Sequence, residues 1–225
     1  MFVSKSMTRN VITIDKDADV LQAKEKMDRH LVRHLPVVDK NNRLIGIVSD
    51  RDIRSAFPSI LMHDYSIRKE RERLSAYKIK DIMTIDPVTV SPLDTIQDVL
   101  LLVQENRVGA FPVVDEHGIV KGIISVRDLI RTFIDVLGIE EPGTLLCILV
   151  EEKIGQMKKV VDAITEEKIS FGSILVARHW EEGKRVIFPY LLTLDVSKVK
   201  KKLSKMGYSL LDPMDWDISN LSEND

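Results

Sequence analysis

Two short stretches of the chain carry the same polar residues in the same order. Gly46-Ile-Val-Ser49-Asp-Arg51-Asp52 recurs as Gly122-Ile-Ile-Ser125-Val-Arg127-Asp128. A carboxylate can accept hydrogen bonds from the vicinal hydroxyls of a ribose, and an arginine beside free helix-terminal amides forms an anion site. The glycine lets another backbone or a ligand come close to the strand. These residue types predict a nucleoside-phosphate site at the end of each inner strand.

The same spacing has a purely structural explanation. A serine followed three residues later by an acid matches a capping box, which stabilises the start of a helix by about 0.5–2 kcal/mol. Both stretches fit this pattern, Ser49 with Asp52 and Ser125 with Asp128. A single occurrence would favour capping alone, whereas the glycine and the arginine in both copies favour ligand binding.

Other kinds of chemistry have weaker support in the sequence. His30 and His34 are four residues apart, as zinc-binding pairs are, but the chain then runs into a strand and offers no obvious third ligand. His117 and His179 have no evident nucleophile partner, and P-loop, dinucleotide and nucleophile-elbow motifs do not occur. We therefore expect a protein that is not an enzyme, with no catalytic residues, no metal site and no catalytic cofactor.

Composition narrows the class of protein. The 225 residues are 44% hydrophobic and 30% charged, as in soluble globular proteins, and 33 Lys and Arg against 35 Asp and Glu give a net charge of -2. Nucleic-acid binders normally carry a basic excess. The longest apolar run, 145–150, is too short to span a bilayer, and Cys147 is the only cysteine. We expect a cytoplasmic protein that binds neither nucleic acid nor membrane.

The two polar stretches lie in a tandem repeat, which sets the elements that position them. A shift of 76 residues aligns 7–56 with 83–132, and thirteen of the fifty pairs are identical. Each copy predicts an extended piece (Val11–Ile14 or Val88–Val90), an amphipathic helix, two strands and a second helix that starts at Ser49 or Ser125. The order β-α-β-β-α predicts a mixed sheet with helices on one face.

Two segments of the repeat region carry further signals. The helix predicted over 96–103 is apolar almost all round, so we expect it to be buried on more than one side, either enclosed within the chain or at a subunit interface. Residues 58–78 hold a run of alternating charges, which predicts a solvated linker helix.

A different unit follows from Thr144 onwards. Its pattern predicts a strand over 145–150, a helix with an apolar face from 154 to 164, a hairpin of 169–180 with 185–194, a helix after Asp195 and a last strand over 208–211. The order β-α-β-β-α-β predicts a ferredoxin-like sandwich. The overall fold class is thus α/β (α+β).

The two copies resemble cystathionine-β-synthase (CBS) domains, and together they resemble a Bateman module. The resemblance rests on Met7-Thr8 and Met83-Thr84, the two Pro-Val-Val-Asp strands and the two Gly-x-x-Ser-x-Arg-Asp turns. It implies binding of an adenine nucleotide (AMP, ADP or ATP) or S-adenosylmethionine, with the final Asp on the ribose and Ser and Arg on the phosphate. The nucleotide-binding residues implied are Ser49, Arg51, Asp52, Ser125, Arg127 and Asp128, with Thr13 and Thr89 beside the base and the small Ala110 leaving room for it.

The third segment is similar to an ACT domain, a regulatory module that often binds amino acids. The loop before its first helix corresponds to Gly155 and Gln156, although Ile154 stands where many members have proline. The similarity implies either amino-acid binding at this loop or pairing with another ACT domain. The whole arrangement resembles acetoin-utilisation proteins of the CBS-plus-ACT type, which implies a link to acetoin or central carbon metabolism.

These inferences predict a domain order and a function. The domains are 1–57 (CBS domain 1), 58–78 (linker helix), 79–135 (CBS domain 2), 143–212 (ACT domain) and 213–225 (polar acidic tail). We expect a homodimeric, non-catalytic sensor that binds adenine nucleotides. The alternative is a regulatory or structural subunit that needs no ligand and assembles a partner enzyme through its CBS and ACT surfaces.

Overall fold

A computed structural model describes residues 1–56 and 76–211 of the chain, without the side chains of His179 and Trp180. The chain forms two compact units, 1–130 and 131 onwards. Residues 58–75 of the predicted linker helix lie outside the described residues. The predicted tail, 213–225, also lies outside them.

The first unit contains both repeats. The first repeat comprises α1 (Val3–Ser6), β1 (Ile14–Asp15), α2 (Val20–His30), β2 (His34–Val38), β3 (Leu44–Ser49) and α3 (Asp50–Ala56). The second comprises a 3₁₀ turn (Ile79–Asp81), β4 (Thr84–Ile85), α4 (Ile96–Asn106), β5 (Ala110–Val114), β6 (Val120–Ser125) and α5 (Val126–Leu137), the last of which continues past residue 130.

Equivalent positions of the repeats start and end the helices in the same way. Asp19 caps α2 and Thr95 caps α4, each in a capping box with the residue three positions later. Leu31 and Arg107 end these helices in the left-handed conformation. A shift of 76 residues relates both pairs, so the duplication extends to the local backbone geometry.

The strands of the first repeat form a mixed sheet, as predicted, and β4 of the second repeat joins its edge. The order is β1-β2-β3-β4, with β1 parallel to β2 and the other pairs antiparallel. In the second repeat β5 and β6 pair antiparallel. The extended piece predicted at Val88–Val90 is not a continuous strand, because only Val90 pairs with β5. Residues 86–89 instead cross from β3 of the first repeat to β5 of the second.

The two repeats exchange their leading segments. Val3 of α1 is fully buried in the core of the second repeat, and Thr8 pairs with Ile123 of β6. Reciprocally, Ile79 is fully buried in the core of the first repeat, and β4 adds to the edge of β3. Each core is therefore completed by a segment that belongs, along the chain, to the other copy.

Helices α2 and α3 of the first repeat pack on one face of its sheet. Val20, Ala23 and Met27 of α2 and Ile53 of α3 share a core with Leu35, Val37 and Val48 of the strands. The second repeat uses the equivalent positions Ile96, Val99, Phe111, Val113, Ile124 and Leu129. Burial at this spacing is what the helical and strand patterns predict.

Helix α4 is not enclosed within the chain. Ile96 and Val99 are buried, but Leu101 is 58% exposed. Of the two alternatives, full enclosure within the chain does not fit Leu101, and a subunit interface stays a prediction.

The hairpin turns of the two repeats pair with each other. Leu44 donates its amide to the carbonyl of Gly118 at 3.0 Å, and Val120 donates to the carbonyl of Asn42 at 3.1 Å. Asn42 and Gly118 occupy equivalent positions and both have a positive φ. The repeats are thus joined by backbone hydrogen bonds at this end of their inner strands.

The second unit has the predicted order β-α-β-β-α-β, except that two strands stand where one was predicted over 145–150. Its elements are β7 (Thr144–Leu145), β8 (Cys147–Glu151), α6 (Gln156–Thr165), β9 (Phe171–Glu181), β10 (Lys184–Leu191), α7 (Ser197–Lys205) and β11 (Ser209–Leu211). The sheet runs β11-β8-β10-β9, all antiparallel, and β7 pairs with the end of β10. Val196 is the N-cap of α7, and the carboxylate of Asp195, one residue earlier, accepts the amide of Ser197 at 3.0 Å.

Candidate functional site

The first polar stretch lies where β3 passes into α3. One carboxylate oxygen of Asp52, Oδ2, accepts hydrogen bonds from the amide and the hydroxyl of Ser49, both at 2.7 Å. The amide of Asp52 donates to Ser49 Oγ at 3.3 Å. Ser49 therefore caps the helix, and both side chains are half-buried.

The second stretch repeats this geometry where β6 passes into α5. Asp128 Oδ2 accepts from the amide of Ser125 at 2.8 Å and from its hydroxyl at 2.7 Å, and the Asp128 amide donates to Ser125 Oγ at 3.3 Å. The capping interpretation of the spacing is therefore correct in both copies. Capping alone, however, does not distinguish these residues, because Thr95 and Asp98 form the same box at the start of α4.

Half-burial of the carboxylate and an adjacent arginine distinguish the two stretches from the Thr95–Asp98 box, whose carboxylate is exposed. Among the described residues, Oδ1 of Asp52 and Oδ1 of Asp128 accept no hydrogen bond, although both carboxylates are half-buried. The adjacent guanidinium groups, those of Arg51 and Arg127, are exposed, and neither forms an ion pair with an acidic side chain within 1–56 and 76–211. Each stretch thus offers one acceptor oxygen and one cation to a ligand.

The glycines of the motif serve the fold rather than a ligand. A Cβ at Gly46 would lie 2.8 Å from the sulfur of Met83 and 2.8 Å from the carbonyl oxygen of Thr84. A Cβ at Gly122 would lie 2.5 Å from the sulfur of Met7. The close approach that the sequence predicted is made by the exchanged Met-Thr segment of the other repeat.

The remaining predicted residues lie at different distances from the two serines. Ala110 is buried and pairs directly with Ser125. Thr13 and Thr89 are half-buried, and their neighbours Ile14 and Val90 pair with positions three residues further along β2 and β5 than the serines do. At about 3.3 Å per residue this is about 10 Å along the strand. Thr89 also lines an open cavity of about 540 Å³ with Leu93 and Val114–Glu116.

The Ser49–Asp52 stretch together with Thr13 is called the first cleft below, and the Ser125–Asp128 stretch with Thr89 and Ala110 the second cleft. A lysine near the first cleft was not expected. Lys26 Nζ of α2 donates to the carbonyl oxygen of Thr13 at 2.8 Å and so fixes the segment that leads into β1. The equivalent residue in the second repeat is Leu102, which cannot donate. Only this difference between the aligned copies could have marked Lys26 in the sequence.

His34 belongs to the first cleft by position and by charge. It is the first residue of β2 and pairs with Ser49 at the end of β3. Burial lowers the pKa of His34, and the charge of Asp52 acts in the opposite direction. His30 is exposed at the end of α2. Among the described residues no three His, Cys, Asp or Glu side chains are grouped to hold a metal ion.

The loop predicted to bind an amino acid lies at the start of α6. Gly155 is the N-cap with a φ of 90°, a conformation that favours glycine, and it offers no side chain to the helix amides. Gln156 Oε1 accepts a hydrogen bond from the hydroxyl of Tyr208 at 2.8 Å. Ile154 is fully exposed. The two predicted residues are adjacent, and Gln156 already has a partner.

The repeat, the exchanged segments and the paired Ser–Asp turns have a counterpart among known families. The family model of the CBS domain matches residues 3–59 and 79–135, which together make up half of the chain. The chain belongs to the CBS-domain family. Across the described residues no helix is both long and apolar enough to cross a membrane.

Individual CBS proteins match over the same region. A CBS domain-containing protein of Dictyostelium discoideum is 30% identical over 137 residues, which cover 61% of this chain and 94% of that protein. In six other curated relatives, a homoserine O-acetyltransferase and five inosine-5'-monophosphate dehydrogenases, the chain spans less than a quarter of the protein's length.

Solved CBS structures share the fold of the repeat region. A putative acetoin utilization protein of Vibrio cholerae has 27% identity and a TM-score of 0.52, and the match covers 62% of this chain and 96% of that one. The CBS domain pair of protein MJ0100 has 24% identity and a TM-score of 0.51 over 59% of this chain and 95% of that one. That structure holds 5-methylthioadenosine and S-adenosyl-L-methionine, and its likeness to this chain concerns the fold alone.

Proposed function

We propose that the protein is a non-catalytic sensor whose CBS pair binds an adenine nucleotide. The observation that carries the proposal is the duplicated pair of a half-buried carboxylate with a free oxygen and an unpaired arginine beside it, at Asp52 with Arg51 and at Asp128 with Arg127. A free carboxylate oxygen suits a ribose hydroxyl, and a guanidinium suits a phosphate. The family resemblance adds the adenine base, beside Ala110 in the second repeat.

Ligand binding must also change the balance between conformations if the protein is a sensor. A ligand shifts a conformational equilibrium only as far as it binds one state better than the other. The Ser49–Asp52 bonds are part of the helix cap, so a ribose that binds Asp52 alters the groups that begin α3. The same holds for Asp128 and α5. The carboxylates proposed to bind the ribose are thus the same groups that cap α3 and α5.

Thermal unfolding tests the proposal. At one hundred times its dissociation constant, a ligand stabilises the folded state by about 2.7 kcal/mol, which raises the melting temperature of a chain of this size by about 5–10 °C. AMP, ADP, ATP and S-adenosylmethionine should be compared. We expect the double variant Asp52→Ala with Asp128→Ala to remove the shift.

The matched control is Asp98→Ala. It deletes a capping box of the same geometry at α4, where the carboxylate is exposed and no arginine precedes it, so it should destabilise the protein and yet keep the ligand shift. A shift that survives in the double variant, or one that is missing for all four ligands in the unsubstituted protein, contradicts the proposal.

Homodimer formation is the second part of the proposal. Leu101 of α4 is 58% exposed, and α5 exposes Ile130, Phe133 and Val136 at spacings that place them on one side of the helix. These residues also favour the second candidate function, a ligand-independent subunit that binds a partner enzyme. Light scattering of the unsubstituted chain and of Leu101→Lys tests dimerisation: a folded monomer at micromolar concentration contradicts it.

For the second unit we propose an ACT domain and a link to acetoin or central carbon metabolism. The order β-α-β-β-α-β and the strand arrangement β11-β8-β10-β9 support the first part, and the likeness of the repeat region to the Vibrio cholerae protein supports the second. A screen of amino acids by thermal unfolding tests ligand binding at Gly155 and Gln156. Loss of a ligand's effect in Gln156→Ala is the expected result.

A further inference from the structure

The His34 ring of the first repeat touches the second repeat. A Cβ built at Gly109 would lie 3.3 Å from both Cε1 and Nε2 of the imidazole, so the ring lies directly against the glycine. Gly109 has no positive φ that would require glycine. Its small size therefore accommodates the His34 ring rather than a turn.

Gly109 is hydrogen-bonded to the second cleft. Its carbonyl oxygen accepts the amide of Val126 at 3.1 Å. Val126 is the first residue of α5 and stands between Ser125, which caps the helix, and Arg127. One residue that touches His34 is therefore bonded to the helix start that carries the second site.

His34 also lies beside the first site, since it pairs with Ser49 across β2 and β3. The ring lies in the electrostatic field of Asp52 and Asp50 on one hand and of Arg33 and Arg51 on the other. A ligand that binds Asp52 and Arg51 changes this balance of charges around the imidazole. We therefore expect the proton affinity of the His34 imidazole to depend on whether the first site is occupied.

The second repeat cannot make the equivalent contact with the first. The residue equivalent to His34 is Ala110, which ends at Cβ and has neither a ring nor a titrating group. The duplication is thus asymmetric at this contact. We infer that His34 couples the two clefts, because it pairs with Ser49 of the first site and lies against Gly109, which is hydrogen-bonded to the start of α5. This inference concerns regulation of the proposed nucleotide sites and rests on that function only in its ligand-bound arm.

The ligand-free arm uses nuclear magnetic resonance of the full isotopically labelled chain. Between pH 8 and pH 5 we expect the amide signals of Gly109 and Val126 to shift with the same midpoint as the His34 imidazole. The shifts should disappear in His34→Gln and remain in the control His30→Gln, which changes an exposed histidine of the same repeat. Amide signals that do not follow His34 overturn the inference, whether or not any nucleotide binds.

The ligand-bound arm uses AMP on the Asp128→Ala variant, so that only the first cleft is intact. We expect AMP to shift the signals of Ser49 and Val126 with one affinity. With AMP at saturation in each variant, adding His34→Gln should reduce the Val126 shift at least fivefold relative to the Ser49 shift of the same sample. An undiminished Val126 shift overturns the coupling. If Ser49 does not respond to AMP, the proposed nucleotide site of the first repeat is wrong, and the pH arm alone decides the coupling.

Discussion

The sulfur of Met7 occupies the space that a side chain at Gly122 would need. A Cβ at residue 122 would be 2.5 Å from Met7 Sδ, and one at Gly46 would be 2.8 Å from Met83 Sδ. Each methionine comes from the leading segment of one repeat and lies on the inner strand of the other. The glycine of each motif and the methionine of the opposite repeat therefore form a matched pair.

We predict that alanine at either glycine destabilises the protein but that the two can be rescued to different extents. Overpacking of this kind costs about 1–3 kcal/mol. Met7→Ala should recover much of the loss in Gly122→Ala, because the flexible methionine is the main obstacle there. Met83→Ala should recover less in Gly46→Ala, since the backbone oxygen of Thr84 stays at 2.8 Å. Urea unfolding of the single and double variants gives these energies, and equal rescue contradicts the argument.

Exchange of the leading segments predicts where a core substitution is felt. Val3→Ala removes two methyl groups, at about 0.8 kcal/mol each, from the core of the second repeat. Ile79→Ala, at about 2–5 kcal/mol, acts on the core of the first repeat. Hydrogen exchange should show protection lost in β5 and β6 for Val3→Ala and in β2 and β3 for Ile79→Ala. Protection lost in the repeat to which each residue belongs along the chain would contradict the exchange.

His34 predicts a pH dependence of stability. Burial lowers its pKa in the folded protein below the ordinary 6.5, so the unfolded chain binds more protons in the interval between the two values. The free energy of unfolding should therefore fall as the pH drops below about 6.5. His34→Gln should remove this part of the slope in melting temperature between pH 8 and pH 5.5, whereas His30→Gln should leave it. A slope unchanged in His34→Gln would refute the assignment.

Asp115 predicts a second, more acidic dependence. Its carboxylate accepts the amide of Ile119 at 2.9 Å and that of His117 at 3.0 Å, and it pairs with Lys121. These bonds, chiefly the one from Ile119, lower its pKa from 3.8 to about 2. The contribution to stability is complete above pH 3.8 and is lost as the pH falls towards 2.

The test compares Asp115→Asn with the neighbouring Glu116→Gln by urea unfolding at pH 7, 5, 4 and 3. Asp115→Asn should be less stable than the unsubstituted protein at pH 7, and the difference should shrink between pH 4 and pH 3. Glu116 is exposed and should show a small, constant effect. A difference for Asp115→Asn that is as large at pH 3 as at pH 7 would show that the turn is held by other means.

Local structure could be predicted from the sequence because it depends on near neighbours. The helix starts, the paired strands and the Ser49–Asp52 cap all follow from spacings of two to four residues. The exchange of Val3 and Ile79 could not be predicted, since two similar copies offer each leading segment two similar cores. The bridge from His34 to Gly109 depends on residues far apart in the chain, and no periodic pattern marks it.

The candidate site was predictable in the same partial way. Spacing identified Ser125, Arg127 and Asp128 because all three lie at one strand–helix junction. It could not show that Oδ1 of Asp128 stays unpaired while Oδ2 is used for capping, nor that Lys26 fixes the backbone at Thr13. These facts depend on side-chain conformations that residue type alone does not determine.

The crossed leading segments make the tandem chain equivalent to a domain-swapped dimer fused into one polypeptide. If the chain were cut between the repeats, each fragment would keep a hydrophobic piece of the other's core and lack one of its own. The two fragments would have to find each other in solution, and folding would become concentration-dependent. Within one chain, the connection between the repeats replaces that search with a high effective concentration. Neither copy is thus an independent module, and a gene encoding a single copy would have to produce an obligate dimer.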